Sequence, residues 1–199
     1  MKIGLTGSIA CGKSTVSSYL RTIGYTVVDA DAISREITAP GGIALPALRD
    51  AFGSTVFFAD GTLNRRMLAN TVFGNPERLA QLNAILHPMI IGEIVRQLHE
   101  AEAGADIVFG DVPLLFECGM EEHFQQIWVV CAPQDVQIAR LFERDGLSQA
   151  QALQRIQAQM PQAEKIRRAD AVISTEGSIP DTQAHVRRLL ASITTRRPE

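Results

Sequence analysis

The chain carries the sequence Gly7-Ser8-Ile9-Ala10-Cys11-Gly12-Lys13-Ser14 close to its start. This stretch fits the phosphate-loop pattern G-x-x-x-x-G-K-[ST] at every position. Glycines let successive backbone N–H groups converge on phosphate oxygens, and a following helix aims its positive N-terminus at the same anion. Lys13 would supply a point charge to the β- and γ-phosphates, and the Ser14 hydroxyl can ligate Mg²⁺. The stretch therefore predicts a site for nucleotide phosphates.

The residues on either side of this loop predict an α/β domain. An apolar run with Ile3 and Leu5 precedes the loop and indicates a strand. The helix that follows presents one apolar face, formed by Val16, Tyr19, Leu20 and Ile23. Further short apolar runs at 25–28, 107–109, 127–131 and 171–174 are typical of strands buried on both faces. Because helical patterns alternate with these runs, we expect a mainly parallel sheet flanked by helices.

The helical patterns have recognisable starts. The middle of the chain, about 34–102, is mostly helical in pattern, and Asn75-Pro76 favours a helix start there. Pro88 should break or kink that helix. Another helix is expected over 135–144, Ser148 with Gln151 forms a capping-box pattern, and a last helix is expected from about residue 181.

Composition limits the classes of partner. The chain has 199 residues and a net charge of −3, which gives no bulk reason to expect nucleic acid or an acidic membrane. Three cysteines suggest neither a disulfide framework nor a zinc site, and no leader or membrane-spanning run is apparent, so we expect the reducing cytoplasm. Sixteen of the 19 basic residues are arginine, which is most simply a coding bias; the three lysines are Lys2, Lys13 and Lys165.

A phosphate loop fixes phosphate binding but not the reaction. None of the four asparagines is followed by lysine, which disfavours a GTPase with an N-K-x-D motif, and the run ending in Asp111 only partly matches the acidic strand of a motor. Arg140 and Arg144 lie four apart on one helix face and suit a lid that neutralises a transferring phosphoryl group. The alternative is that they pair with surface carboxylates such as Glu143 and Asp145.

Asp29 and Asp31 follow the second expected strand. Ligands bind at the carboxyl ends of strands in open α/β sheets, so Asp31 could orient an acceptor hydroxyl or accept its proton. The alternative is an aspartate that caps the helix through Ile33 and Ile37.

Taken in order, several elements resemble the dephospho-CoA kinase family over nearly the whole chain. They are Thr6 with the phosphate loop, Val28-Asp29-Ala30-Asp31, Leu86-His87-Pro88, Val112-Pro113-Leu114-Leu115-Phe116-Glu117, and Arg144-Asp145 followed by a helical lid. The resemblance implies transfer of the ATP γ-phosphoryl group to the ribose 3′-hydroxyl of dephospho-CoA, the final step of coenzyme A synthesis.

The resemblance also implies roles for particular residues. Positions Gly7 to Thr15 would bind ATP, with Mg²⁺ on Ser14; Asp31 would be the base, and Thr6 would lie near the reacting phosphates. Arg140 and Arg144 would be lid arginines. The acceptor would be held by Arg65, His87 and Pro88, with Asp111 at the Mg²⁺ or acceptor end of the core and Glu117 either contacting the acceptor or capping a helix.

The loop departs from the usual family pattern, G-G-I-G-S-G-K-S. Ser8, Ala10 and Cys11 replace two glycines and a serine, and the first two lose the glycine tolerance for positive φ. Cys11, near a helix N-terminus and Lys13, could have a lowered pKa and be oxidisable; the alternative is an inert small residue.

We therefore expect a single kinase domain, with a five-stranded, mainly parallel sheet flanked by helices. Its core would be about 1–33, 104–139 and 169–199, with a helical substrate insertion at about 34–103 and a lid at about 140–168. A monomer is favoured. The alternatives are another nucleotide or nucleoside kinase on the same scaffold and a non-catalytic ATP-binding regulator.

Overall fold

The structure is a computed structural model that describes residues 1–194. Five strands form its sheet: β1 (Lys2–Gly7), β2 (Thr26–Asp29), β3 (Val108–Asp111), β4 (Gln126–Cys131) and β5 (Ala171–Ser174). The strand order is β2-β3-β1-β4-β5, and the pairs β1–β3, β1–β4 and β4–β5 are parallel. The prediction of a five-stranded, mainly parallel α/β sheet is confirmed.

The helices are α1 (Lys13–Thr22), α2 (Ala30–Ile37), α3 (Leu45–Phe52), α4 (Arg65–Val72), α5 (Pro76–Glu102), α6 (Gln134–Asp145), α7 (Gln149–Gln157), α8 (Gln162–Arg167) and α9 (Ile179–Thr194). Two 3₁₀ turns lie at Ser54–Val56 and Glu121–His123. Among the described residues no helix has the length and apolarity that crossing a bilayer requires.

Contacts group the chain into two compact units. The first, here called the sheet unit, contains Met1–Val28 and the described chain from Leu98 onward. The second, here called the helical unit, is Asp29–Gln97. The domain boundaries expected from the sequence stay a prediction.

One face of the sheet packs its apolar side chains under α1 and α9. Phe109 makes edge-on ring contacts with Tyr25 and Trp128, at centroid distances of 5.5 and 5.4 Å. The buried cluster also contains residues of both helices, among them Leu20 and Val186. Burial of these side chains holds the N-terminal end of α1 at the carboxyl edge of the sheet, since apolar burial is the main favourable term in folding.

The helical unit has its own apolar interior, with Leu48, Phe52, Val56 and Leu68 buried. Helix α5 begins where expected, because Asn75 Oδ1 accepts a hydrogen bond from the Arg78 amide. Of the two outcomes expected at Pro88, a break is excluded, because α5 continues through it. Pro88 and Ala84, whose carbonyl loses its helical donor, are both exposed, so water can satisfy that carbonyl.

Candidate active site

The phosphate loop joins the end of β1 at Gly7 to the start of α1 at Lys13. Gly12 has φ 83°, and a Cβ there would lie 3.0 Å from Thr175 Oγ1. At Gly7 the limit is space, since a Cβ would lie 2.4 Å from the Val130 carbonyl oxygen. Ala10 adopts φ 58° although it is not glycine. The loop therefore follows a tight path that two glycines make possible and that strains one alanine.

Cys11 is buried and belongs to the apolar cluster under the sheet. Burial raises the pKa of its thiol to about 11, and the opposing effects of the Lys13 amide and ammonium are smaller. The hypothesis of a lowered pKa, based on the helix N-terminus and Lys13, is therefore wrong. Loss of solvation of the thiolate outweighs both favourable charges.

Lys13 forms an ion pair with Asp111, the last residue of β3. Asp111 is only 4% exposed, so this contact lies at the floor of the site rather than on its surface. The strand order makes the contact possible, because β1 and β3 are parallel neighbours and Leu5 is in register with Asp111. The structure thus brings together two of the predicted site residues at the carboxyl edge of the sheet.

Two contacts hold the short stretch that follows β3, one made by Thr6 and one made by Glu117. The Thr6 hydroxyl is fully buried and donates to the Pro113 carbonyl at 3.0 Å. The Glu117 carboxylate accepts from the Lys165 ammonium at 2.7 Å and from the Met160 amide at 3.1 Å. Glu117 therefore connects the stretch after β3 to α8, through Lys165, and to the segment that leads into α8, through Met160.

Arg140 braces the phosphate loop. Its guanidinium donates to the Ala10 carbonyl at 3.2 Å and to the Thr175 hydroxyl and carbonyl at 2.9 and 2.8 Å. The Thr175 hydroxyl in turn donates to the Cys11 carbonyl at 2.7 Å. Of the two sequence interpretations, pairing with a surface carboxylate does not describe Arg140, which donates to oxygens of the loop and of the residue after β5.

Arg144 behaves differently from Arg140. Its side chain is 61% exposed and forms a bidentate ion pair with Asp145, with bonds of 3.0 and 2.8 Å. This contact lowers the pKa of Asp145. The pairing with Asp145 was one of the two outcomes considered from the sequence. After Asp145, Ser148 and Gln151 form the predicted capping box of α7.

Sequence reasoning missed several residues that contact the loop. Gln159 Oε1 accepts from the Ile9 amide at 2.7 Å, and Gln137 Nε2 donates to the Ile9 carbonyl at 2.7 Å. Both glutamines belong to the segment expected to form or flank the lid. No local sequence pattern distinguishes these two glutamines, because only tertiary packing brings them to Ile9. For Thr175, the one available signal was its position directly after the end of β5.

Two loop hydroxyls differ sharply in environment. Ser8 is 5% exposed, and its Oγ has no hydrogen-bond partner among the described residues. Ser14 is exposed and, with Thr15, lines an open cavity of about 550 Å³. The other residues lining this cavity are Ser18, Tyr19, Thr22 and Gln183.

In the helical unit, Asp29 caps α2 by accepting from the Asp31 and Ala32 amides, each at 3.0 Å. The capping role considered from the sequence thus belongs to Asp29, and Asp31 lies exposed in the first turn. Arg65 donates to the Arg35 carbonyl and the Thr38 hydroxyl, which ties α4 to the end of α2.

His87 and Pro88 are exposed midway along α5. A second cavity of about 350 Å³ lies elsewhere in the helical unit, along residues 36–43 and Glu93. Hydrogen bonds from the Arg96 and Gln97 side chains lower the pKa of Glu93, which lines this cavity, to about 2.

The amino-acid sequence was compared with known protein families and with curated relatives. The profile of the dephospho-CoA kinase family matches residues 1–181. Dephospho-CoA kinases of Carboxydothermus hydrogenoformans and Bacillus licheniformis are each 44% identical to this chain over 189 residues; each alignment covers 94% of this chain, and 92% and 94% of the relatives.

Solved structures give the same result. TT1252 from Thermus thermophilus superposes with a TM-score of 0.79 at 38% identity, covering 96% of this chain and 97% of the other. Dephospho-CoA kinase from Campylobacter jejuni gives 0.70 at 26% identity, covering 96% of both chains. A shikimate kinase from Bacteroides thetaiotaomicron, at 14% identity and a TM-score of 0.56 over 96% of this chain and 98% of the other, shares the fold. On its sequence and its structure, this chain belongs to the dephospho-CoA kinase family.

Proposed function

We propose that this chain transfers the γ-phosphoryl group of ATP to the ribose 3′-hydroxyl of dephospho-CoA, which yields ADP and coenzyme A. As a member of its family the chain is a kinase, an ATP-dependent phosphotransferase of coenzyme A biosynthesis. The observation that carries the proposal is the complete phosphate loop with its Lys13–Asp111 pair at the sheet edge.

The phosphate loop, residues 7–15, would bind ATP. Its strained backbone and the N-terminus of α1 suit an anion, because backbone N–H groups and the helix dipole both favour negative charge there. Ser8 fits the same use, since its buried hydroxyl has no protein partner among the described residues and a phosphate oxygen would supply one. Lys13 would then share its charge between Asp111 and the β- and γ-phosphates.

Mg²⁺ fits the donors present. The Ser14 hydroxyl and the Asp111 carboxylate are hard oxygen ligands on adjacent parts of the loop and strand edge, and Mg²⁺ typically takes one or two carboxylates together with substrate phosphates. When bound, the ion would neutralise charge on the phosphates. Ser14 is the residue we assign to the metal, with Asp111 as the carboxylate at that end of the core.

Asp31 is the candidate base toward the 3′-hydroxyl. Asp29 fixes the first turn of α2 through two amide bonds, which leaves the exposed Asp31 carboxylate on an ordered backbone. Arg65, His87 and Pro88 of the helical unit, and Glu117 of the sheet unit, are assigned to dephospho-CoA. Thr6 would keep the stretch after β3 in place beside the reacting phosphates through Pro113.

Arg140 and Arg144 are assigned to charge neutralisation. Arg140 would act from its fixed place beside the loop, whereas Arg144 would leave Asp145 to reach the nucleotide. Little covalent work is left to the protein in phosphoryl transfer, so positioning and charge would account for most of the rate gain.

The expected compartment is the cytoplasm, where the free thiols Cys11, Cys118 and Cys131 would stay reduced. The partners we assign are ATP and the small-molecule acceptor, on a monomer.

The test is an acceptor panel. The purified protein is incubated with ATP, Mg²⁺ and one of dephospho-CoA, AMP, CMP or a nucleoside, and ADP and product are measured. Product with dephospho-CoA alone supports the proposal. Product with another nucleotide but not with dephospho-CoA would point to a different kinase, and no product at all to an ATP-binding regulator.

A further inference from the structure

Lys165 of α8 is a buried cation that the roles above do not use. Its side chain is 0% exposed. The ammonium binds Glu117 Oε1 at 2.7 Å and lies 3.4 Å from the Pro113 carbonyl oxygen. Removing a lysine from water is costly unless a partner compensates, so a buried lysine with one carboxylate partner needs an explanation.

The position of Lys165 points to the phosphate edge. The Pro113 carbonyl that it reaches also accepts from Thr6, the residue that precedes the phosphate loop. Two residues before Pro113 stands Asp111, the partner of Lys13. Asp111, the last residue of β3, and Pro113, two residues later, therefore tie both lysines to the edge of the sheet where phosphate is expected.

Charge coupling and composition agree with this position. The Lys165 ammonium contributes to the electrostatic environment of Cys11 within the loop. Arginine supplies 16 of the 19 basic side chains, yet the fully buried cation at this edge, Lys165, and the cation paired with Asp111, Lys13, are lysines. Lysine is a compact point charge with three donors, which suits one phosphate oxygen, whereas arginine suits exposed or bidentate contacts such as that of Arg144.

The segment around Lys165 is held in place by other contacts. Arg168 forms an ion pair with Glu121 and lies over the Phe116 ring, 4.6 Å from its centroid. The Met160 amide binds Glu117, and Gln159 binds the Ile9 amide. Lys165 therefore lies at the edge of the sheet on a segment that several contacts hold in place.

We propose that Lys165 is a second phosphate-directed cation of this site, with Glu117 as its counter-ion until nucleotide binds. When the γ-phosphate arrives, its oxygens take over hydrogen bonds from the ammonium, and no proton or covalent bond is exchanged. This inference rests on the proposed phosphoryl transfer, but its central prediction concerns the γ-phosphate and does not depend on the acceptor.

The test begins with binding. Affinities for ADP and for the non-hydrolysable analogue AMP-PNP, both with Mg²⁺, are measured by calorimetry for the wild type and Lys165→Met. We expect the variant to lose about tenfold in AMP-PNP affinity and less than threefold in ADP affinity, since a charge-assisted contact to the γ-phosphate is missing. Equal losses for the two nucleotides, or none, would overturn the proposal.

Turnover supplies the second readout. Lys165→Met should lower kcat for coenzyme A formation about 100-fold, as removal of one transition-state donor does, and Lys165→Arg should recover part of it. Lys2→Met is the matched control, because Lys2 pairs with Glu102 away from the loop. The double variant Glu117→Leu/Lys165→Met removes both charges of the pair. It carries the test if the single variant does not fold, and a wild-type ratio of AMP-PNP affinity to ADP affinity in it would show that Lys165 merely neutralises Glu117.

Failure of the proposed function has a different signature. A wild-type protein that binds nucleotide but does not phosphorylate dephospho-CoA would refute the reaction. The loss of AMP-PNP affinity in Lys165→Met, compared with its loss of ADP affinity, would still decide the role of Lys165.

Discussion

The Lys13 ammonium binds the Asp111 carboxylate directly, which joins the start of α1 to the end of β3. The cation that the loop offers to phosphate is therefore already paired with a carboxylate. An incoming phosphate must share or replace that partner. On the proposed roles, Asp111 would compete with phosphate for Lys13 and would also be the strand-end carboxylate assigned to Mg²⁺.

Asp111→Asn separates these two effects. Without Mg²⁺ we expect the variant to bind ATP a few-fold more tightly, because a negative charge near the phosphates is gone. With Mg²⁺ we expect kcat to fall by about two orders of magnitude, in the range seen when charge stabilisation is lost. Calorimetry in EDTA measures the ATP affinity, and steady-state kinetics with Mg²⁺ measure kcat. Weaker ATP binding by the variant than by the wild type in EDTA would contradict competition between Asp111 and phosphate for Lys13.

Lys13→Ala should abolish measurable turnover and leave the fold intact, because we assign Lys13 as the point charge for the β- and γ-phosphates. The variant leaves Asp111 without its lysine, so a modest loss of thermal stability is expected. Circular dichroism and the dephospho-CoA assay check this. Retained activity would refute the assignment of the phosphate loop, and the variant Lys2→Met serves as the charge-matched control.

Asp31→Asn should reduce kcat far more than it reduces ATP affinity. The amide is nearly the same size but cannot accept the proton of the acceptor hydroxyl. Asp29→Asn is a useful companion, because an asparagine also caps helices and should leave α2 in place. Equal turnover of Asp31→Asn and the wild type would remove the proposed base.

Substitutions at positions 10 and 12 should have opposite effects on stability. Gly12→Ala places a Cβ at φ 83° and 3.0 Å from Thr175 Oγ1, so we expect a loss of about 2 kcal/mol. Ala10→Gly relieves a residue at φ 58° and should be neutral or stabilising by up to about 1 kcal/mol. Urea unfolding of both variants checks the sign, and a stabilising Gly12→Ala would contradict the backbone geometry.

The buried Cys11 thiol gives a pH prediction. Its pKa is raised from 9.0 to about 11, so the folded protein keeps the proton that the unfolded chain loses between these values. Stability should therefore decline from pH 9 toward 11, at up to about 1.4 kcal/mol per pH unit from this group. Unfolding of the wild type and Cys11→Ala over this range checks it, and equal slopes would contradict the shift.

Alkylation gives an independent check at lower pH. At pH 8 only about 0.1% of a thiol with this pKa is thiolate, so Cys11 should react much more slowly than Cys118 and Cys131. Those two thiols are only partly buried. Mass spectrometry after limited labelling identifies the order, and preferential modification of Cys11 would restore the hypothesis of a reactive cysteine.

Local signals predicted the elements well. The strand at residues 171–174 has the expected bounds, and Ser148–Gln151 and Asn75 cap their helices as predicted. These features depend on residues close in sequence, where periodicity and capping chemistry suffice. At Pro88 a break, one of the two expected outcomes, is excluded because α5 continues through it, and the exposure of this stretch lets solvent reach the carbonyl that loses its bond.

The site was predictable only where a motif names its residues. The phosphate-loop pattern named Lys13 and Gly12, the family resemblance named Asp111, and the structure places Lys13 and Asp111 in contact. Gln159 contacts Ile9 from 150 residues away in sequence, and Lys165 contacts Pro113 from 52 residues away, through packing that no local pattern encodes. The pKa of Cys11 was also not predictable from the motif, because burial of the thiol affects it more than the neighbouring residues of the motif do.

The contacts of Arg140 have a thermodynamic consequence for binding. Arg140 and Thr175 hold the carbonyls of Ala10 and Cys11, so the loop backbone is fixed before any nucleotide arrives. The free-energy cost of ordering those dihedral angles, roughly 1–2 kcal/mol per residue, is then part of the folding equilibrium. It therefore does not weaken nucleotide affinity. ATP would then meet a preorganised anion receptor, and variants that loosen Arg140 should bind ATP with a more unfavourable entropy even where every phosphate contact survives.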